Sequence, residues 1–296
     1  MNQRNLFYVS SGDYDMQKEA FWGFLLLSLR IQWSFLGGKA MKDVIMAHGI
    51  VISSMAVGDY DKRVVLLTKE LGKIAAFARG ARRSNSSLLA STRPFTLGIF
   101  TLYPGKDAYI VQSAEVNEYF EGLSNDMEAV TYGYYFLEIA DYYTREGIDE
   151  SPMINLLYVT IKALLNPNLN NQLVKLIFEL RAIVIGGSYP ELFHCVNCGQ
   201  EIQEGIFSIQ DHGTYCPECK KIPKNGIPLD AATTYALQYM IAAPINKLYT
   251  FTLSEKTMQT AAKVIEQCKK QYQDKTFHSL EILEQMVGVS ANKTKS

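Results

Sequence analysis

Four cysteines stand as two C-x2-C pairs, Cys195–Cys198 and Cys216–Cys219, with seventeen residues between the pairs. No other feature constrains the fold as tightly. A C-x2-C turn brings two thiolates within about 3–4 Å, and two such turns close a tetrahedron around Zn2+ with no vacant position. Gly199 follows the first pair and lets the backbone turn back beneath the metal. Between the pairs, Gly205 to Gly213 reads as a strand and a glycine-bearing turn, as in a zinc ribbon. Two disulfides or four unliganded thiols are the competing readings, but pairing at this spacing rarely has another physical use. His194 beside Cys195 could compete for the metal, yet four thiolates already complete the shell. The expected ion is therefore structural, not catalytic.

At 296 residues the chain is long enough for about two domains with real cores. Hydrophobic content of 48% and charged content of 20% are globular values. The net charge of −1 hides a segregation. Lys62, Arg63, Lys69, Lys73, Arg79, Arg82, Arg83 and Arg93 face only Asp59, Asp61 and Glu70 between Gly58 and Arg93. Between Val116 and Pro190 the balance reverses, with ten acids against Arg145, Lys162, Lys175 and Arg181. Charge divided in this way points to a polyanionic partner for the first part alone.

Residues 1–40 differ from the rest. Ala20 to Leu36 is strongly apolar and holds both tryptophans, but its uninterrupted part ends at Leu29, too short for a bilayer span. Lys18 and the Gly38-Lys39-Ala40 step make a poor secretory leader. A surface anchor is one reading. A non-native extension, with the functional chain starting at Met41, is the one expected here.

From Met46 the pattern becomes short alternating strands: 46–53, 62–68, 73–79, 93–103 and 108–114, with Gly58-Asp59, Leu71-Gly72 and Pro104-Gly105 as turns. Five short strands over 41–117 favour an OB-fold barrel. In the third, period two sets Lys73, Ala75, Phe77 and Arg79 on one face and Ile74, Ala76 and Ala78 on the other. Such a face can stack a base and hold its phosphates, or Phe77 can be core beneath solvated charges. Arg79-Gly80-Ala81-Arg82-Arg83 then runs into the polar stretch Ser84–Ser87. Gly80 permits a turn from which three guanidiniums fan toward a phosphate backbone. No acid occurs from Lys73 to Arg93, so sequence-independent nucleic-acid binding is expected. The expected contact set is Lys62, Arg63, Lys73, Phe77, Arg79, Arg82, Arg83 and Arg93. A second basic cluster, Lys220, Lys221 and Lys224, lies beside the cysteines.

Beyond Glu118 the periodicity turns helical, with stripes through Phe136, Leu137 and Ala140, through Leu157, Ile161 and Leu164, and through Leu173, Ile177 and Leu180. This domain is expected over 118–286, with the zinc unit inserted at about 191–224 and a flexible tail over 287–296. Ser254 is an expected N-cap and Cys268 an expected core thiol. The whole is an α+β multidomain chain. The P-loop, H-E-x-x-H and G-x-S-x-G motifs are absent. A zinc deaminase is excluded, because Cys216-Pro217-Glu218 lies inside the second pair and Tyr215 precedes it. A binding protein is expected rather than an enzyme.

The order of several segments resembles the RecO family of bacterial DNA repair and recombination mediators. These are Gly49-Ile50-Val51, Gly58-Asp59-Tyr60-Asp61, Ala78 to Arg83, Arg93-Pro94-Phe95, Gly187-Ser188-Tyr189-Pro190 before the first cysteine pair, and His278-Ser279-Leu280. The resemblance covers about residues 42–286, and the family lacks the N-terminal extension. It implies an OB-fold, a helical domain and a zinc-binding insertion, and binding of single- and double-stranded DNA. It also implies strand annealing, and action with RecR that lets RecA replace single-strand-binding protein. No nucleotide cofactor, no membrane and a cytoplasmic, nucleoid-associated location are implied. The acidic, aromatic-ended tail of single-strand-binding protein would bind the helical domain, with Lys175 and Arg181 as its cationic side. Two rival classes are a zinc-ribbon RNA-binding or transcription-associated factor and a zinc-dependent nuclease. The first would prefer RNA or a fixed sequence; the second needs a carboxylate or histidine cluster not found here.

Overall fold

The computed structural model describes residues 44–219 and 225–293, with side chains as far as Met286. The expected non-native extension and the Lys220, Lys221 and Lys224 cluster lie outside these residues.

Strands β1 (Ile45–Val57), β2 (Asp61–Thr68), β3 (Gly72–Ala78), β4 (Leu97–Tyr103) and β5 (Tyr109–Glu118) form a closed barrel in the order β1-β2-β3-β5-β4. All pairings are antiparallel except β3 with β5, where Ala76 meets Tyr109 and Phe77 meets Ile110 in parallel register. This is the five-stranded Greek-key barrel of the OB-fold, as the strand count anticipates. Alternation fills it: Val64, Leu66, Ile74, Ala76, Phe100, Leu102 and Val111 point inward and form one buried cluster. One expectation needs correcting. The fourth strand begins at Leu97, not Arg93, because Pro94 has no N–H for a ladder and Phe95 sits at φ 71°. Arg93 instead closes the turn after the short helix α1 (Leu88–Ser91), its N–H bonding the Ala90 carbonyl.

Helices α2 (Met127–Tyr143), α3 (Ser151–Leu164), α4 (Asn171–Ile185), α5 (Ala231–Ala242), α6 (Glu255–Tyr272) and α7 (His278–Lys293) build the second core. Their starts follow capping chemistry: the side chains of Asp126, Asn170, Asp230 and Ser254 accept first-turn N–H bonds. Phe136, Leu157, Ile161, Ile177, Leu180 and Cys268 are buried together, so the sequence stripes and the core thiol fall where periodicity puts them. Helical backbone continues through Lys293, past the boundary expected at 286.

The barrel docks on the bundle through one end. Ile50, Ile52 and Leu67 belong to the helical core cluster. Gly72 pairs with Glu146, and the Lys73 N–H bonds the Arg145 carbonyl. Gly72 has φ +70°, and a Cβ there would lie 2.3 Å from the Arg145 carbonyl oxygen, so no larger residue fits the junction. Between α4 and α5 the chain forms a small sheet in the order β6-β8-β7-β9, from β6 (Glu191–Cys195), β7 (Gly205–Ser208), β8 (Gly213–Tyr215) and β9 (Ile227–Leu229).

Candidate nucleic-acid interface and metal centre

The cysteine centre assembles from two turns. Cys195 ends β6, the Gly199 N–H returns to the Cys195 carbonyl at 2.8 Å, and Gly199 takes φ +75°. Cys216 and Cys219 follow β8 in the same manner, the Cys219 N–H reaching the Cys216 carbonyl at 3.2 Å. All four Sγ atoms lie within 4.8 Å of one another, with Cys195–Cys219 and Cys198–Cys216 at 3.6 Å and Cys216–Cys219 at 3.5 Å. Tetrahedral Zn–S bonds of about 2.3 Å require S···S edges of about 3.8 Å, so the cluster has the size and the donor set of a four-thiolate site. Burial raises the Cys195 thiol, but N–H groups of Cys216, Cys198 and Asn197 outweigh it and bring it down to about 6. The Asn197 amide lowers Cys219, yet the contact with Cys216, then burial and the Cys195 and Cys198 contacts, push it up to about 12. Four thiols this close cannot all ionise without a cation among them. Cys198 is exposed and the other three are buried.

The basic segment gathers at the barrel end opposite the docked one. The register brings the β1–β2 turn, the start of β2, the end of β3 and the β4–β5 loop to this mouth (Val57 pairs Asp61, Lys62 pairs Ala78, Tyr103 pairs Ile110). Arg63, Arg79, Arg82 and Arg83 are exposed there, and Arg93 is exposed after α1, close enough to Lys62 to act on its charge. The guanidiniums do not simply fan from a loose loop. Arg82 donates from its backbone to the Tyr60 carbonyl at 2.8 Å and from Nη1 to the Gly58 carbonyl at 2.9 Å. Arg83 lies over the Tyr60 ring at 5.0 Å, and the Gly80 N–H bonds Asp61 Oδ1 at 2.7 Å. The loop is thus clamped to the β1–β2 turn and presents its charges preset. Residues 84–87 form successive turns, with the Ser86 N–H on the Arg83 carbonyl and the Leu89 N–H on the Ser86 carbonyl.

Two lysines of the expected set are placed differently. Lys62 Nζ donates to the Leu89 carbonyl at 3.1 Å and to Thr92 Oγ1 at 3.0 Å, tying α1 to the barrel. Its pKa is lowered, chiefly by burial and then by Arg93 and Arg82. Lys73 Nζ bonds the Asp141 carbonyl at 2.5 Å and Asp141 Oδ1 at 3.2 Å, bridging to α2. It sits at the docked end, roughly 20 Å along β3 from Arg79. The two ends of the basic strand face therefore do different things.

Phe77 lies on the outer face of β3, half-buried, while Ile74, Ala76 and Ala78 fill the core. Register adds neighbours that alternation alone does not show. Arg63 is opposite Phe77 on β2, Ile110 is its partner on β5, Tyr103 follows on β4 and Met55 on β1. Arg63, Phe77, Ile110 and Tyr103 alternate with buried neighbours and so share the outside of the barrel. Tyr60 and Lys106, in the two loops at this mouth, are exposed beside them. The β3–β5 crossover pairing, a tertiary fact, is what joins these residues.

A separate pocket of about 290 Å³ opens between α2, α4, α6 and α7, lined by Tyr132, Lys175, Leu176, Met258 and Leu283 with Glu255 and Glu284. Lys175 faces it but also pairs with buried Glu179 at 3.2 Å. Arg181, expected beside Lys175, donates to the Ile241 carbonyl instead and does not line this pocket. Among the described residues no helix is long and apolar enough to cross a membrane.

Family models match both parts of the chain: "Recombination protein O N terminal" over residues 41–120 and "Recombination protein O C terminal" over residues 124–281. The chain is similar to the DNA repair protein RecO of Alkaliphilus metalliredigens, 31% identical over 241 residues, covering 81% of this chain and 98% of that one. It is also similar to the DNA repair protein RecO of Acetivibrio thermocellus, 28% identical over 81% of this chain and 96% of that one. The protein of the same name from Bacillus subtilis is 29% identical over 81% of this chain and 93% of its own length.

Proposed function

This chain belongs to the RecO family of DNA repair proteins, and from that membership we propose that it binds single- and double-stranded DNA and anneals complementary strands. With RecR, it helps RecA replace single-strand-binding protein. The observation that carries the reading is the exposed arginine set Arg63, Arg79, Arg82 and Arg83 at the free end of an OB barrel, with Arg93 exposed near Lys62, where phosphates meet preset charges. Phe77 supplies a surface for a base beside them. Lys62 and Lys73 support the interface from within, through α1 and α2 respectively. The cysteine cluster holds one structural Zn2+, and its tetrahedral four-thiolate donor set suits that ion. Ligation ties the β6 turn to the β8 turn and needs no open position. No nucleotide cofactor takes part, and the protein works in the cytoplasm on nucleoid DNA.

The tail of single-strand-binding protein would seat in the pocket between α2, α4, α6 and α7. Its aromatic end meets Met258 and Leu283, and Lys175 supplies the cation. The decisive experiment is annealing of complementary strands coated with single-strand-binding protein, with and without RecR, followed by RecA filament formation. Annealing of coated strands, and RecA loading that needs RecR, are the expected results. Absence of DNA affinity and annealing in folded, metal-replete protein would refute the reading.

A further inference from the structure

Of the clustered thiols, Cys198 alone is exposed; it lies in the exposed turn 196–200, while Cys195, Cys216 and Cys219 are buried. Its Sγ is 3.6 Å from that of Cys216, across the gap between the two turns. Cys216 and Cys219 are no farther apart, at 3.5 Å, but both are buried, so a reagent from solvent does not start there. Two of the buried sulfurs are also engaged by N–H donors. Cys195 takes the Cys216 N–H at 3.3 Å, and Cys219 takes the Asn197 amide at 3.2 Å. Such bonds hold the lone pairs with which a thiolate attacks. The Sγ contacts of Cys216 are with sulfur, from Cys198 and Cys219. A metal-ligating cysteine is already deprotonated, so an exposed one is a standing nucleophile. Exposure therefore selects Cys198 as the sulfur that an oxidant reaches first, and distance selects Cys216 as the sulfur that answers it.

We propose that Cys198 is a modification site for hydroperoxides, with Cys216 as its resolving thiol, and that oxidation exchanges the metal tie between the two turns for a covalent one. This rests on the structural-zinc reading above. The Cys198 thiolate attacks one peroxide oxygen; the O–O bond breaks, hydroxide leaves, and Cys198 carries a sulfenic acid. The Cys216 thiolate then attacks that sulfur; the S–O bond breaks, a second hydroxide leaves, and the S–S bond forms. Two thiolates give up two electrons, and one peroxide takes them. The two sulfurs must close from 3.6 Å to about 2.05 Å. Only Cys195 and Cys219 are then left as thiolates, half the set of a closed structural site, so the ion is released. The connectivity has a mechanical consequence. A Cys198–Cys216 bond joins the β6 turn to the β8 turn across 18 positions of the chain, as the ion does. Bonds within the pairs, Cys195–Cys198 and Cys216–Cys219, would leave the turns untied. The insertion thus loses its metal and keeps its fold.

The test treats full-length, zinc-loaded protein with hydrogen peroxide, from substoichiometric amounts upward, beside a colorimetric zinc chelator. About one zinc should be released and about two thiols lost per peroxide consumed. Peptide mapping by mass spectrometry should find the Cys198–Cys216 linkage first, with Cys268, buried in the helical core, still reduced. With dimedone present, the trapped sulfenic acid should sit on Cys198. The oxidised protein should melt above reduced protein stripped by chelator, because its turns remain tied. Cys198→His keeps a zinc ligand and removes the exposed sulfur, so peroxide should no longer release the metal. Where that variant holds no metal, the mapping on the unsubstituted chain decides. A first linkage within either pair, dimedone on a buried cysteine, or zinc retained while two thiols are lost overturns the proposal. Protein that carries no zinc as purified refutes the ion and this switch together. Zinc-loaded protein with any other first linkage refutes the switch alone.

Discussion

Replacing Arg79, Arg82 and Arg83 together by Ala separates the structural reading of the basic segment from a reading based on charge alone. Each of these side chains is exposed, and the one donor that Arg82 spends on the Gly58 carbonyl leaves the rest of its guanidinium for phosphate. If each neutralises one phosphate, the log–log salt slope should fall by about 2 units on single strands, at about 0.7 per phosphate, and by about 2.7 on duplex, at about 0.9. Between 50 and 200 mM salt, the lost dependence corresponds to roughly 20-fold in affinity on single strands and roughly 40-fold on duplex. Lys73→Met is the internal control. Its ammonium is bound to Asp141 on α2, so the slope should not change, while the melting temperature should drop as a charge-assisted hydrogen bond worth about 1.5–3 kcal/mol is lost. Lys62→Met should likewise leave the slope unchanged. The assay is fluorescence anisotropy titration across a salt series, with thermal melts beside it. An unchanged slope in a well-folded triple variant, or a loss of about 0.7 in Lys73→Met, would refute this division of roles.

Metal analysis of protein purified without chelator should return one zinc per chain, and Cys195→Ser or Cys219→Ser should lose it and melt lower; well under one equivalent in the unsubstituted protein would end the structural-zinc proposal. Buried Glu179 bonds the Tyr135 hydroxyl at 2.5 Å and Lys269 Nζ at 2.9 Å. Burial pushes its carboxyl up, but Lys175, then Lys269 and the Tyr135 hydroxyl, leave it net below its usual value. A depressed carboxylate contributes stability that is present above the unfolded value of about 4.3 and is lost as pH falls through the lower folded value. Glu179→Gln should therefore cost about 1.5–3 kcal/mol at pH 7, because Lys175 and Lys269 lose their shared counter-ion while Lys269 keeps Glu266 at 3.1 Å, and should flatten the acid limb of denaturant-measured stability. An unaltered acid limb would count against it. Gly72→Ala, which drives a Cβ onto the Arg145 carbonyl at φ +70°, should destabilise the barrel–bundle junction by more than about 1 kcal/mol in urea unfolding. A neutral result would mean that this junction relaxes freely.

What the sequence by itself determined is what local chemistry dictates. Cysteine spacing defines the tetrad, because a C-x2-C turn positions its two thiolates without help from the rest of the chain. Period two identifies the inward face of β3, since Ile74, Ala76 and Ala78 alternate with Lys73, Ala75 and Phe77 whatever the barrel does elsewhere. Period 3.6 and capping side chains likewise place the helical core and the start of α6. The beginning of β4 is legible too, in Pro94, set against the strand-forming Thr96, Leu97 and Ile99 that follow it. Tertiary structure alone decided which charges are held within the protein and which stay in solvent. Lys62, Lys73 and Arg79 all read as cations of one basic run. Yet α1 claims the first, α2 the second, and solvent keeps the third. Nothing local encodes those partners, which lie 27 and 68 residues away in the chain. The same holds for the row through Tyr103, Ile110, Phe77, Arg63 and Met55. Its members become neighbours only when β5 crosses over to pair with β3, and strand register is fixed by how the whole barrel closes on its core.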